Sequence, residues 1–106
     1  MKVRYLIAFT AALSVSATAF AANDGEALFK KSGCNICHAV NKKSVGPALT
    51  EIAAKYKDDK EAQTKLEQKV RNGGAGSFGK VPMPATGKGV SDDSIKAIVA
   101  WTLTQK

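Results

Sequence analysis

The chain has 106 residues, a formal net charge of +7, 44% hydrophobic residues and 7% aromatic residues. This length accommodates one domain, and it excludes a multidomain enzyme and a polytopic membrane protein. The ordinary apolar content and the three prolines exclude a disordered or collagen-like chain, and two cysteines exclude a scaffold of several disulfides.

Residues 1–21 have the pattern of a secretory signal peptide. A short basic start is followed by a stretch without charge from Leu6 to Asn23, which contains the small-x-small sequence Ala19-Phe20-Ala21. A membrane anchor is the alternative, because 18 uncharged residues approach the length of a span. Serines and threonines dilute the stretch, however, and acidic rather than basic residues follow it.

We therefore expect cleavage after Ala21, with cleavage after Ala22 as the alternative, and a mature domain of residues 22–106 in the periplasm. Loss of Lys2 and Arg4 lowers the formal charge to +5. The lysines are spread along the chain rather than grouped in one block, so binding to nucleic acid is disfavoured and an acidic protein partner is favoured. A domain of 85 residues also buries little apolar surface, and domains of this size often depend on a disulfide, a metal or a cofactor for additional stability.

The first predicted helix starts at a capping box, with Asn23 as the cap and Glu26 three residues later. Leu28 and Phe29 supply its apolar side. Gly33 is a suitable stop, because glycine adopts the left-handed conformation that commonly ends a helix.

Cys34-Asn35-Ile36-Cys37-His38 follows this helix, and it is the C-x-x-C-H pattern of c-type haem attachment. Two thiols three residues apart can reach two vinyl groups on one side of a porphyrin, and the next residue offers an imidazole to the iron. Three alternatives use the same residues: a thioredoxin-like dithiol, a zinc site, or a small disulfide. The first lacks its βαβ context, the second lacks a further Cys/His pair, and the third closes too short a loop to stabilise much.

The second and third helices are predicted from helical spacing and caps. Gly46-Pro47 begins the second helix, because proline suits the first helical position. Its apolar residues Leu49, Ile52, Ala53 and Tyr56 recur at intervals of three or four. The third helix is capped by Asp58 or Asp59 and ends at Asn72-Gly73, with Ala62, Leu66 and Val70 along one side.

A glycine-rich loop from Gly73 to Gly89 contains Val81-Pro82-Met83-Pro84, which the prolines make rigid and extended. His38 is the only histidine, and Met83 is the only methionine outside the leader. If haem is bound, Met83 is therefore the candidate sixth ligand, and Met/His ligation suits an electron carrier. The alternative is a methionine that fills a gap in the core. P-loop-like and dinucleotide-like glycine spacings in this loop lack the strand before and the helix after that nucleotide binding requires.

The last predicted helix is capped by Ser91, with two aspartates in its first turn. Ile95, Ile98, Val99 and Thr102 follow at helical spacing, with Trp101 beside them. The whole prediction is an all-α domain of four short helices and loops.

Several motifs together identify a family resemblance. They are Leu28-Phe29-Lys30, Cys34-Asn35-Ile36-Cys37-His38, Val45-Gly46-Pro47-Ala48, Ile52-Ala53-Ala54-Lys55-Tyr56, Val70-Arg71-Asn72-Gly73, Val81-Pro82-Met83-Pro84 and Val90-Ser91-Asp92-Asp93. On these the chain resembles the short class I bacterial cytochromes c of the c-551/c-552 type. The resemblance implies the cytochrome c fold around one covalent haem c, no enzymatic activity, and a soluble monomeric electron carrier. It implies donors and acceptors with acidic surfaces, such as a nitrite reductase or a terminal oxidase.

The resemblance also implies roles for single residues. Pro47 is expected to accept a hydrogen bond from His38, and Arg71 to meet a haem propionate, with a solvated helix end as the alternative for Arg71. Phe29 and Trp101 are expected to pack where the first and last helices cross. Phe78 and Thr86 are departures, since many relatives carry tryptophan and asparagine there.

We expect an apolar haem pocket and a basic surface beside one haem edge. The expected pocket residues are Phe29, Ile36, Leu49, Ile52, Leu66, Val70, Phe78 and Val81. The expected basic residues, each of which is alternatively an ordinary solvated lysine, are Lys42, Lys43 and Lys80.

Overall fold

The computed structural model describes residues 22–106, so the predicted signal peptide lies outside the described residues. Within this range the structure contains four α-helices and no β-strand, as the sequence predicts. The helices are α1 (Ala22–Lys31), α2 (Leu49–Lys55), α3 (Ala62–Asn72) and α4 (Asp92–Leu103). No helix in residues 22–106 has the length and apolar content required to cross a bilayer.

Helix α4 is the centre of the fold, and the other three helices pack against it. Phe29 of α1 and Trp101 of α4 meet with their ring centroids 5.2 Å apart, which confirms the predicted crossing of the first and last helices. Gly25 makes this crossing close, because a Cβ atom there would lie 2.3 Å from Cβ of Trp101. A second cluster joins Leu66 of α3 to Ile95 and Val99 of α4.

The ends of the helices agree with the sequence in part. Gly33 has φ 81°, and it follows α1 as predicted. Ser91 caps α4, because its Oγ accepts a hydrogen bond from Ser94 N at 3.1 Å. Helix α1, however, begins at Ala22 rather than after an Asn23 cap.

Two further helix starts lie later than predicted. Helix α2 begins at Leu49 rather than at Pro47. Helix α3 begins at Ala62, and Asp59 does not cap it directly: its carboxylate accepts a hydrogen bond from Glu61 N at 2.9 Å in the turn before the helix. The loop between α2 and α3 is therefore longer than the caps alone suggested.

Candidate functional site

One wall of the main cavity is the short 3-10 turn Cys34–Ile36 that follows α1. Gly33 reverses the chain with its positive φ, and Cys37 N and His38 N both donate to the carbonyl of Cys34. A 3-10 turn has three residues per turn, so residues 34 and 37 fall on the same side. Both cysteine side chains consequently line the cavity, together with His38.

The prediction that Ile36 lines the pocket is wrong. Ile36 does not line the cavity, and it is 78% exposed. The reason is the same turn geometry, which directs position 36 away from the side that holds the two cysteines.

His38 is held in one orientation by the chain that precedes α2. Its Nδ1 lies 2.8 Å from the carbonyl oxygen of Pro47, the contact that the family resemblance implies. A carbonyl oxygen can only accept, so in the neutral ring Nδ1 carries the proton and Nε2 keeps a free lone pair. His38 therefore presents Nε2 as a metal-ligating atom.

Gly46 packs against the same ring. A Cβ atom at Gly46 would lie 2.6 Å from Cε1 of His38, so only glycine leaves room for the imidazole. Gly46 N also donates to the carbonyl of Cys37 at 2.7 Å, which joins this segment to the cysteine turn.

The two thiols are free and half-buried rather than joined in a disulfide. Burial raises the pKa of the Cys34 thiol, a backbone hydrogen bond lowers it, and the neighbouring Cys37 raises it further. Cys34 is therefore a neutral thiol at neutral pH. Across residues 22–106, no group of three or more His, Cys, Asp and Glu side chains comes together to hold a metal, so the zinc alternative gains no support.

Met83 lines the same cavity as His38 and the two cysteines. Its backbone forms an isolated antiparallel bridge with Gly74, in which each residue donates to the other's carbonyl at 2.9 Å. Gly73 packs beneath this segment, because a Cβ atom there would lie 2.4 Å from the carbonyl oxygen of Met83. The position of Met83 is thus fixed by main-chain contacts with the end of α3.

The walls between these groups are mostly apolar. Every residue predicted for the pocket except Ile36 lines the cavity. Phe29 and Leu49 are buried, with exposed fractions of 4% and 2%. The predicted residues that line the cavity are Phe29, Leu49, Ile52, Leu66, Val70, Phe78 and Val81. Val45 and Val81 line the cavity yet are 58% and 67% exposed, so they mark its mouth.

Arg71 does not line the cavity, contrary to the expectation that it meets a propionate there. Its guanidinium instead donates to the carbonyls of Thr86, Gly87 and Val90 and to the carboxylate of Asp92. Lys69, two residues earlier on α3, does line the cavity, and sequence reasoning missed it.

The helical spacing of α3 could have predicted that Lys69 lines the cavity. Leu66, Lys69 and Val70 stand at i, i+3 and i+4 and all line the cavity. Arg71 is rotated by about 140° from Leu66 at 100° per residue.

The two departures from the family pattern lie in different surroundings. Phe78 lines the cavity, and the Lys55 ammonium lies 4.6 Å from its ring centroid while donating to the carbonyl of Ser77. Thr86 does not line the cavity; its N–H donates to the carbonyls of Val70 and Arg71.

The lysines expected beside the site are all exposed. Lys43 lines the cavity as well, whereas Lys42 and Lys80 do not. Glu51 is the acidic side chain that lines it.

The donor set of this cavity fits a covalent haem. Two thiols on one side of a 3-10 turn can form thioethers, the imidazole of His38 presents a free Nε2, and Met83 adds a thioether sulfur. Apolar walls suit the porphyrin, and Lys43 and Lys69 supply positive charge suited to its propionates. No other set of residues in the described part of the chain combines these groups.

The chain is similar to known proteins over its whole length. The sequence model of the family described as Cytochrome c matches residues 22–106. Cytochrome c-551 of Pseudomonas aeruginosa is 40% identical and cytochrome c-552 of Nitrosomonas europaea 43% identical, each over 106 residues and the full length of both sequences.

Solved structures agree with these sequence matches. The crystal structure of wild-type Nitrosomonas europaea cytochrome c552 superimposes with a TM-score of 0.73 at 47% identity, covering 76% of this chain and 99% of that one. The class 1 cytochrome MtoD of Sideroxydans lithotrophicus gives a TM-score of 0.67 at 28% identity, covering 77% of this chain and 92% of that one.

Proposed function

Because the chain belongs to the cytochrome c family, whose members carry covalently bound haem c and transfer electrons, we propose that it is a periplasmic single-electron carrier with His38 and Met83 as axial iron ligands. The observation that carries this proposal is the presence of both side chains in one apolar cavity with Cys34 and Cys37. Met83 is also the only thioether outside residues 1–21.

Cys34 and Cys37 would hold the haem through thioethers, and His38 and Met83 would ligate its iron. A haem in this cavity supplies one-electron exchange between ferrous and ferric iron. The Pro47 carbonyl orients the His38 ring and strengthens it as a donor, since partners of a ligand tune the metal. With both residues as ligands, the iron would have no position left for a substrate, which favours a carrier over an enzyme.

The walls of the cavity also favour a carrier. Leu49, Phe29 and Ile98 exclude water, and low polarity disfavours the extra positive charge of ferric iron. This raises the reduction potential, as Met/His ligation does. Val45 and Val81 at the mouth provide the apolar point at which a partner can approach.

The partners that we propose are redox proteins with acidic surfaces, such as a nitrite reductase or a terminal oxidase. The support is the excess of basic residues and the exposure of Lys42, Lys43 and Lys80. Complementary charge accelerates the encounter and permits a small, brief interface.

The leader pattern supports export, and the family match supports its boundary because that match begins at residue 22. Expression of the full chain followed by mass measurement of the periplasmic protein tests both points. A mature chain beginning at Ala22 or Asn23 is expected, and a full-length chain retained in the membrane would contradict cleavage.

Visible spectra of the protein matured with haem test the ligation. We expect a sharp α band on reduction and, in the oxidised form, the weak far-red band of a sulfur–ferric-iron bond. Met83→Ala should abolish the far-red band and keep the covalent haem, whereas the control Val81→Ala in the same segment should keep both. High-spin features without a far-red band in the unmodified protein would indicate a ligand-binding or catalytic haem instead.

Replacing Lys42, Lys43 and Lys80 together by Gln tests the partner surface. Electron transfer to an acidic partner should slow and lose much of its dependence on salt. A control with Lys57, Lys60 and Lys96 replaced removes the same charge from three other exposed lysines. Equal slowing in both variants would show that net charge, rather than this surface, guides the partner.

A further inference from the structure

Arg71 lies in the last turn of α3, and its side chain donates hydrogen bonds to four acceptors on one later segment. Nη1 donates to the carbonyls of Thr86 and Gly87 at 3.2 and 3.1 Å. Nη2 donates to the Val90 carbonyl at 2.8 Å and to Oδ1 of Asp92 at 2.7 Å. One side chain thus joins the end of α3 to the whole stretch that leads from Met83 to α4.

That stretch has no regular structure of its own. Between Met83 and the start of α4 it forms only the turn that closes with Val90 N donating to Gly87 O. Two glycines, Gly87 and Gly89, give its backbone additional freedom in the unfolded and loosened states. Its conformation therefore depends on contacts with other parts of the chain.

Those contacts hold Met83 itself and the stretch after it, and both come from the chain at the end of α3. Before the stretch, Gly74 holds the Met83 backbone through two hydrogen bonds of 2.9 Å. After it, Arg71 holds residues 86–92, and Thr86 N donates to the carbonyls of Val70 and Arg71. The chain at the end of α3 therefore fixes both the backbone of Met83 and the segment that follows it.

A guanidinium is suited to this task. It offers five N–H donors in a rigid planar fork, so it can serve several carbonyls at once, whereas an ammonium is a compact point charge. The Arg71 side chain is only 27% exposed, and Asp92 neutralises it. Because Arg71 does not line the cavity, it reaches the iron site only through the segment that it holds.

We infer that Arg71 is a positioning residue for Met83: its four hydrogen bonds keep the Met83 segment closed over the cavity. The inference rests on the proposed ligation of iron by Met83. It assigns Arg71 to the stability of the sulfur–iron bond rather than to a haem propionate. Loss of Arg71 frees the segment after Met83 and raises the fraction of molecules in which the sulfur has left the iron.

The experiment compares oxidised holoprotein carrying Arg71→Ala, Arg71→Lys or Asp92→Asn with the unmodified chain. Lys88→Ala is the control, because it removes one positive charge from an exposed residue of the segment that Arg71 contacts. One readout is the imidazole concentration that displaces half of the far-red band. The other is the temperature at which half of that band disappears, measured beside the far-UV circular dichroism of the helices.

We expect Arg71→Ala to lower the imidazole midpoint by about tenfold, which corresponds to roughly 1.4 kcal/mol. The far-red band should also disappear at a lower temperature while the helical signal persists. Arg71→Lys should recover part of the loss, and Asp92→Asn should have a smaller effect because the three carbonyl contacts remain. Lys88→Ala should match the unmodified chain.

The outcomes separate this inference from the proposed function. A far-red band in the unmodified chain, with equal imidazole midpoints in Arg71→Ala and Lys88→Ala, overturns the role of Arg71 and leaves the ligation by Met83 intact. Absence of that band from the unmodified chain overturns both. If Arg71→Ala does not fold, Arg71→Lys decides the matter: a lowered midpoint supports the role and an unchanged midpoint overturns it.

Discussion

The backbone of Gly46 packs directly against the imidazole ring of His38. A Cβ atom at Gly46 would lie 2.6 Å from Cε1 and 2.9 Å from Nδ1 of that ring. The next residue, Pro47, accepts the hydrogen bond from Nδ1 at 2.8 Å. The dipeptide Gly46-Pro47 therefore supplies both the room for the ring and the acceptor that orients it.

Gly46→Ala should destabilise the holoprotein and disturb the histidine side of the site. The added methyl group must push the ring off the Pro47 carbonyl or move the backbone, and overpacking of this kind costs about 1–3 kcal/mol. Guanidinium unfolding followed at the haem absorption band measures the loss. Gly89→Ala is the matched control, because nothing lies within 4 Å of a Cβ atom there. Equal stability of the two variants would contradict the steric argument.

Gly73→Ala should disturb the methionine side of the site. Gly73 has φ 70°, and a Cβ atom there would lie 2.4 Å from the Met83 carbonyl oxygen and 2.7 Å from Ala85 N. Alanine must therefore displace the backbone on both sides of Pro84. We expect the far-red band of the oxidised protein to weaken or vanish, as absorption spectra would show.

Gly76→Ala is the control that distinguishes the steric contact between residue 73 and Met83 from the effect of backbone strain alone. Gly76 also has a positive φ, 109°, but nothing lies within 4 Å of a Cβ atom there. Gly76→Ala should cost stability on the order of 1–3 kcal/mol, because a residue other than glycine is strained at this φ, and it should leave the far-red band in place. Loss of the band in both variants would mean that loop strain, rather than contact with Met83, is responsible.

The parts of the site that the sequence predicts are those set by local spacing. Cys34, Cys37 and His38 come together because one turn of chain fixes their relation, and Gly33 starts that turn with its positive φ. Ser91 caps α4 for the same reason, since a cap depends on residues three apart. Such relations need no knowledge of the tertiary structure.

The two predictions that failed depend on the orientation of a turn or a helix in the folded protein. Ile36 was expected in the pocket, but the 3-10 turn directs it to solvent. Arg71 was expected at a haem propionate. The orientation of α3 instead places Lys69 in the lining of the cavity and directs Arg71 to the segment after Met83. Motif matching identifies residue types at a site, whereas the orientation of a helix decides which neighbour reaches it.

Lys69→Met should lower the reduction potential. Lys69 lines the cavity, and a positive charge near the iron favours the reduced state, which carries one positive charge fewer. We expect a decrease on the order of 50 mV, close to the shift for a tenfold change in a one-electron equilibrium. Protein-film or solution voltammetry at low salt measures it.

Lys88→Met serves as the control for Lys69→Met, because Lys88 is exposed and does not line the cavity. It should leave the potential within a few millivolts, since solvent and salt screen a distant exposed charge. Equal shifts in the two variants would show that Lys69 acts only through net charge.

Asp59 and Lys65 give the domain an acid-sensitive contribution to stability at the start of α3. The hydrogen bond from Lys65 lowers the pKa of the Asp59 carboxyl, the Glu61 N–H lowers it further, and the same pair raises the pKa of Lys65. A lowered carboxyl pKa stabilises the fold above the ordinary value near 3.8, and this contribution is lost as pH falls through the lowered value. The raised pKa of Lys65 stabilises the fold below the ordinary value of 10.5 and is lost only as pH rises through the raised value.

Asp59→Asn should therefore reduce the free energy of unfolding at neutral pH, while the amide oxygen can still accept from Glu61 N. The difference from the unmodified chain should be constant from about pH 5 to pH 8 and shrink steadily below pH 4, because protonation removes the same charge from Asp59. Urea unfolding at a series of pH values measures it. Asp58→Asn is the neighbouring control, and its difference should stay near zero throughout. A difference for Asp59→Asn that persists undiminished at pH 2 would show that the carboxylate charge is not what stabilises this turn.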